Sequence, residues 1–153
     1  MTMLKCEYKE VTSMLKYEII TDQEDENYGH IRALIDFGTV KKGEVGGRID
    51  NYDNLSQEGD CWVYVNAQVR GDAQVLGNAK VYGYAEVFGD ARISGNAEVF
   101  DNARVSGDAK LFGNAKVYGN AKVFGGAKVY VNAKVCGNTW VSGTDEVYGD
   151  AKI

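Results

Sequence analysis

The sequence predicts an all-β protein: a triangular solenoid in which short parallel strands stack coil upon coil. Three observations carry that prediction. First, from Gly59 to Ile153 one six-residue unit recurs: Gly, a short polar residue, Ala, a charged residue, Val, then an aromatic residue or Ser. Gly77-Asn78-Ala79-Lys80-Val81-Tyr82 and Gly113-Asn114-Ala115-Lys116-Val117-Tyr118 are near copies. Repeats of fixed length stack, because no single unit can bury a core alone. Second, Ala and Val stand two apart, so on a strand both turn to one face and the residue between them turns to the other. Third, residues recur with an 18-residue super-period. Asn78, Asn96, Asn114 and Asn132 fall at one corner, whereas Asp72, Asp90 and Asp108 fall at another, followed there by Gly126 and Thr144.

Each position of the unit has a physical reason. Ala and Val make a thin, dry core, and the Lys, Glu, Arg or Gln between them faces water. At the unit boundary Gly takes positive φ without a steric penalty and Asn or Asp tolerates the left-handed region, which makes a corner. Three strands and three corners close a coil of 18 residues, and coils stack at about 4.8 Å. Sixteen units, the last one residue short, give about five and a third coils and a rod roughly 25 Å long. Outward aromatics then align in columns: Tyr64, Tyr82, Phe100 and Tyr118 on one face, Phe112, Tyr130 and Tyr148 on a second, Phe88 and Phe124 on the third.

The pattern Val-x-Gly-Asn-Ala-x, as in Val81 to Glu86 with Tyr84 in the Asn slot, resembles the hexapeptide repeat of left-handed parallel β-helix proteins. The left hand is what that resemblance implies, since parallel strands otherwise cross over right-handed.

Residues 1–58 read as an N-terminal β-hairpin cap with a lead-in segment, and 59–153 as the β-helix. Residues 14–21 and 29–37 are expected strands, joined by an acidic turn through Glu24, Asp25, Glu26 and Asn27. A hairpin over the first coil would cover backbone groups that an open end leaves unpaired. The run Gly46-Gly47-Arg48-Ile49-Asp50, then Asn54-Leu55-Ser56-Gln57-Glu58-Gly59-Asp60-Cys61-Trp62-Val63-Tyr64, resembles the lead-in of hexapeptide-repeat proteins carried by bacteriophages and prophages. Some relatives in that group are loosely labelled acetyltransferases. Arg48 stands where the group suggests Trp or Tyr, a departure that bears on cap packing.

The 153 residues carry a net charge of −5. It is concentrated at the start: residues 1–58 hold 7 Lys+Arg against 12 Asp+Glu, while residues 59–153 hold 10 against 10. Lys5, Glu7, Lys9 and Glu10 interrupt any apolar run near the start, and no stretch reaches membrane-spanning length. A soluble chain in the cytoplasm of a bacterial host is the expectation. Cys6, Cys61 and Cys136 lack the paired spacings of a disulfide framework or zinc site. Cys61 occupies an inward Ala slot, and Cys136 an outward aromatic slot about four coils away.

Little in the sequence supports catalysis. Among left-handed β-helix enzymes, the resemblance implies either zinc held by three His or an acyltransferase with a His base at a subunit boundary. One His excludes the first. An acyltransferase-like trimer would need His30 to act from the cap, and no long loop interrupts the units to hold coenzyme A. The Gly-x-Gly spacings are corners, because no helix follows them. Asp72, Asp90 and Asp108 could offer oxygens to calcium, but read as solvated corner residues. No catalytic residue, metal or cofactor is therefore assigned.

Three surfaces remain as binding candidates. One is the aromatic face of Tyr64, Tyr82, Phe100 and Tyr118, a contiguous strip that marks a contact surface or stacks on itself as a ladder. The second is the basic belt of Lys110, Lys116, Lys122, Lys128 and Lys134, interleaved with Phe112, Tyr118, Phe124 and Tyr130, which the six-residue step spreads over three faces. The third is the C-terminal end. Trp140 replaces a charged residue there, Asp145 occupies an inward Ala slot as a defence against edge pairing or part of a docking surface, and Tyr148 follows. The expected function is a non-enzymatic rigid binding or scaffold protein of phage or prophage type that docks on a host protein, as an inhibitor of a bacterial defence system of the anti-CRISPR kind. The alternatives are the acyltransferase and a nucleic-acid binder using the belt. Self-association as a two-fold dimer through the aromatic strip is also expected.

Overall fold

The computed structural model describes residues 15–22 and 25–153; Cys6, Met14 and Glu24 lie outside them. The described chain is all β apart from a single 3-10 turn at Tyr52–Asn54. Strands β1 (Tyr17–Asp22), β2 (Asp25–Ala33) and β3 (Val45–Ile49) precede fifteen strands of two residues each. These begin with β4 (Trp62–Val63), β5 (Gln68–Val69) and β6 (Gln74–Val75) and recur every six residues to β18 (Glu146–Val147). Each pairs in parallel with the strand one coil away, as Lys116 pairs with Lys134 and Val117 with Val135. The result is a parallel β-solenoid of about six turns of roughly 18 residues, with three faces.

The faces follow from the register. The first carries Trp62, Lys80, Glu98, Lys116 and Lys134 at the outward strand position, the second Gln68, Glu86, Arg104, Lys122 and Trp140, the third Gln74, Arg92, Lys110, Lys128 and Glu146. Inward positions make one continuous buried column, in which every Ala and Val from Ala67 to Val129 in the unit slots is inaccessible to solvent, with Ile93 and Leu111 replacing Val. Backbone pairing passes between coils, for example Lys116 N–H to Ala133 O at 3.0 Å and Tyr118 N–H to Val135 O at 3.0 Å.

Corners obey the glycine rule with three informative departures. Asp101 holds the Gly slot at φ 59°, and its carboxylate accepts from the Gly119 N–H at 3.1 Å. At Val65-Asn66 the turn moves by one residue, so that Asn66 takes the positive φ of 78°. Val131 has no such escape: a β-branched residue sits at φ 61°, stacked in a column with Gly113 and Gly149. Such a backbone costs about 1–3 kcal/mol.

The N-terminal segment differs from its expectation in register. Strand β2 starts at Asp25, so Asp25, Glu26 and Asn27 belong to the strand and not to the turn. The strand ends at Ala33 rather than residue 37, because Phe37 leaves it to pack on Trp62, edge to face at 5.3 Å. Phe37 and Val40 then bridge around Gly38. Strand β3, unforeseen as a strand, joins β2 antiparallel and β5 parallel, so the hairpin continues the second face. Gly46 and Gly47 have a steric reason. A methyl on Gly46 would strike the Val63 carbonyl, and one on Gly47 the carbonyls of Tyr64 and Ala67. Stacking thus begins ahead of Gly59, with Ile49 and Leu55 already in the core. Trp62 occupies an outward slot yet is fully buried, covered by Tyr17 and Phe37.

Buried polar groups occupy the end of the first coil. Asn54 accepts from the N–H groups of Asp50 and Asn51 and donates to Gly71 O (3.0 Å) and Ala73 O (2.8 Å). Lys16, 2% exposed, donates to the carbonyls of Cys61 (2.9 Å), Gly59 (3.2 Å) and Glu58 (3.5 Å) and lies 3.4 Å from Cys61 Sγ. Burial pushes its amine below the usual range, a shift that Cys61 opposes. Burial likewise raises the Cys61 thiol, opposed by Lys16.

Val105→Asp should lose the β signal in circular dichroism, since a carboxylate in the Val column costs about 4 kcal/mol or more. Val131→Gly should raise the denaturant midpoint: relief of the left-handed valine exceeds the roughly 1 kcal/mol entropic penalty of glycine, for a net gain of about 1 kcal/mol. A lower midpoint for Val131→Gly would mean that the corner is not strained.

Candidate binding surfaces

A fixed coil pitch brings identical slots into columns, so outward chemistry is organised along the rod. Tyr82, Phe100 and Tyr118 stack in parallel, with centroids 4.8 Å apart at each step and interplanar angles of 0° and 2°. Tyr64 meets Tyr82 edge to face at 6.0 Å. The four predicted residues therefore come together, but as a half-buried ladder whose inner ring faces are occupied by neighbouring rings. A concavity of about 300 Å³ adjoins Tyr64, between the Gly38–Val40 turn and the side chains of Lys80 and Glu98.

The belt lysines separate in an informative way. Lys110 and Lys128 pair in register on the third face, Lys116 and Lys134 on the first, and Lys122 stands on the second. The first and third faces meet at the corner of the asparagine column, so four of the five flank one edge. Lys152, bridged to Lys134, joins them there. Lys122 lies 5.0 Å over the ring of Trp140.

That corner also carries a device the repeat did not announce. Asp60 N–H donates to Asn78 Oδ1 at 3.2 Å. Each amide then donates to the next: Asn78 to Asn96 (3.4 Å), Asn96 to Asn114 (3.2 Å), Asn114 to Asn132 (3.0 Å), and Asn132 to Asp150 Oδ1 (3.1 Å). The amide dipoles all point one way and end on a carboxylate. The column was visible in the sequence, whereas the role of Asp150 as its anchor depends on side-chain rotamers.

At the far end Trp140, Asp145 and Tyr148 border a shallow concavity of about 440 Å³ with Val141, Val147 and Ile153. Trp140 is 64% exposed and Tyr148 57%. Asp145, in its Ala slot, is exposed, and its carboxylate accepts from the Ser142 N–H at 3.4 Å. Among the described residues no coil lies beyond it to make that slot an interior one. Asp72, Asp90 and Asp108 are exposed along the remaining acidic corner, and no three His, Cys, Asp or Glu side chains among the described residues converge as a metal site would require. Cys61 is buried and Cys136 partly exposed, both as free thiols.

His30 is held from both sides. Its Nδ1 lies 3.2 Å from the Gly46 carbonyl, and Arg48 Nε donates to its Nε2 at 3.3 Å. The ring is thus a hydrogen-bonding bridge between β2 and β3, with the lone pair that a general base needs directed at a guanidinium.

These features define a parallel β-solenoid repeat protein with columnar outward faces. No family model and no curated protein sequence matches the chain. No helix among the described residues is long and apolar enough to cross a membrane.

Burial pushes the Tyr82 phenol up to about 12, with Glu98 and Asp101 adding to the shift. The neutral phenol is favoured in the fold, so this contribution to stability is complete below the unfolded value near 10 and is lost as pH rises through about 12. In ultraviolet titration of the native protein, the difference between the parent and Tyr82→Phe should show a phenol that ionises well above pH 10, among several tyrosines that ionise late. Ionisation of every tyrosine near pH 10 would contradict the ladder.

Proposed function

We propose that this chain is a non-enzymatic binding rod of phage or prophage type that docks on a host protein, with inhibition of a bacterial defence enzyme as its role. The observation that carries the proposal is the uninterrupted period of the solenoid. From β4 to β18 strands recur every six residues with no inserted loop, so outward side chains stand in straight columns on flat faces. A rigid surface of this kind is already organised for association and loses little entropy on docking. The engagement of both His30 nitrogens supports the same reading, because the one histidine serves β2–β3 geometry. The phage origin rests on the lead-in resemblance, for which Gly46 and Gly47 supply a packing reason.

Affinity capture from a bacterial lysate, followed by identification of the retained protein and an assay of its activity, tests the proposal. The expected result is a specific host protein whose activity falls on binding, with His30→Ala capturing it equally well. Recovery of the bait alone would overturn the proposal, and so would acetyl transfer that vanishes in His30→Ala.

A further inference from the structure

Charge pairing divides the rod into two halves. In the upper coils acids stand between bases: Glu86 lies 3.6 Å from Arg70 and 3.5 Å from Arg104, and Glu98 lies 3.5 Å from Lys116. Lower down the pattern changes. On the third face Lys110 stands in register between Arg92 and Lys128, and on the first face Lys134 stands between Lys116 and Lys152. Among the described residues Lys110, Lys128, Lys134 and Lys152 make no ion pair. Like charges directly opposite on neighbouring strands destabilise a sheet. Two such columns on adjoining faces are a standing electrostatic cost that an external anion would relieve.

The corner between these columns is not bare. Phe112 (36% exposed), Tyr130 and Tyr148 (57% exposed) run along it beside Asn114 and Asn132. The rings stack on one another, at 4.8 Å and 7° for the first pair and 5.4 Å and 16° for the second. Their edges, which carry partial positive charge, are the parts left for a ligand.

Building on the binding role proposed above, we infer that this corner is where the partner docks, and that the partner presents a compact acidic protein surface whose carboxylates meet Lys110, Lys128, Lys134 and Lys152. Two observations favour carboxylates over a nucleic acid strand. Single strands are held by bases stacking on open ring faces, and here the inner ring faces are occupied by other rings. Carboxylates also interrupt the edge: Glu98 lies above the free cations on the first face, Glu146 lies below Lys128 on the third, and Asp150 stands at the corner, so a continuous phosphate chain laid along the edge would meet them.

The test is a binding titration of the full chain with poly-L-glutamate, with an oligodeoxythymidylate and with a DNA duplex, each at low and raised salt. Poly-L-glutamate should bind, weaken with salt, and lose about tenfold or more in affinity in the double variant Lys128→Glu, Lys134→Glu. Lys122→Glu, on the remaining face, should bind as the parent does. Circular dichroism establishes that the double variant and Lys122→Glu fold. Absence of poly-L-glutamate binding, an equal loss in Lys122→Glu, or tighter binding of either DNA through the same lysines would each overturn the inference. Lysate capture separates it from the binding role itself. A host protein retained by the double variant removes this corner but leaves the role, whereas capture of nothing by a parent chain that still binds poly-L-glutamate removes the role.

Discussion

One constraint governs this molecule: every residue of the rod lies above or below its counterpart one coil away, at the spacing of paired strands. The core is consequently thin, and only Ala, Val and their near equivalents fit inward. The same constraint acts outside, where any slot filled consistently becomes a column. Rings become a stack, amides become a relay, and lysines become a line of like charges. Whether such a column stabilises or burdens the fold depends on the chemistry of the side chain, since the geometry is the same for all three. Stacked rings gain contact area, and aligned amides polarise one another, but aligned ammonium groups repel.

Among the described residues the first and last coils differ in what they present. At the first coil, Lys16 and Asn54 place buried donors on five backbone carbonyls. Gln57 Oε1 accepts from the Lys16 N–H, and Tyr17 Oη donates to the Leu55 carbonyl at 2.5 Å. Burying an amine there is costly, which the lowered Lys16 value reflects, and its contacts with the carbonyls of Glu58, Gly59 and Cys61 offset part of that cost. In the last described coils Trp140 and Tyr148 at outward positions and Ile153 in a Val slot are all exposed. Buried polar contacts mark the first coil, with Gln57 Nε2 and Trp62 Nε1 left unpaired among them, and apolar exposure marks the last.

Between β4 and β18 no inserted loop interrupts the six-residue step, so the outward chemistry of the rod is arranged in surface columns. The chain's single histidine is tied between a carbonyl and a guanidinium, and its acids and bases are spread along columns. What the rod offers is rigidity and a repeated spacing, with one edge carrying uncompensated positive charge on a chain whose net charge is negative. That asymmetry is directional: an acidic partner of the kind proposed would be attracted to one edge and repelled from the Asp72, Asp90 and Asp108 corner.

The sequence by itself determined the all-β solenoid, its three strands per turn, the inward Ala and Val and the membership of each outward column, because a strict six-residue period admits one arrangement of slots. It did not determine the sense of winding, for which the period is the same either way and only a resemblance speaks. The hairpin register was misplaced: Leu34, Ile35 and Phe37 prolong an apolar run in sequence, whereas in space Phe37 turns away to reach Trp62. Spacing does place Lys110 and Lys128 across one corner from Lys116 and Lys134, because Asn114 and Asn132 lie between them along the chain. It could not show that Trp62 is buried or that Lys16 reaches three carbonyls, since both depend on what a distant segment lays over the first coil, and that is not encoded within a six-residue unit.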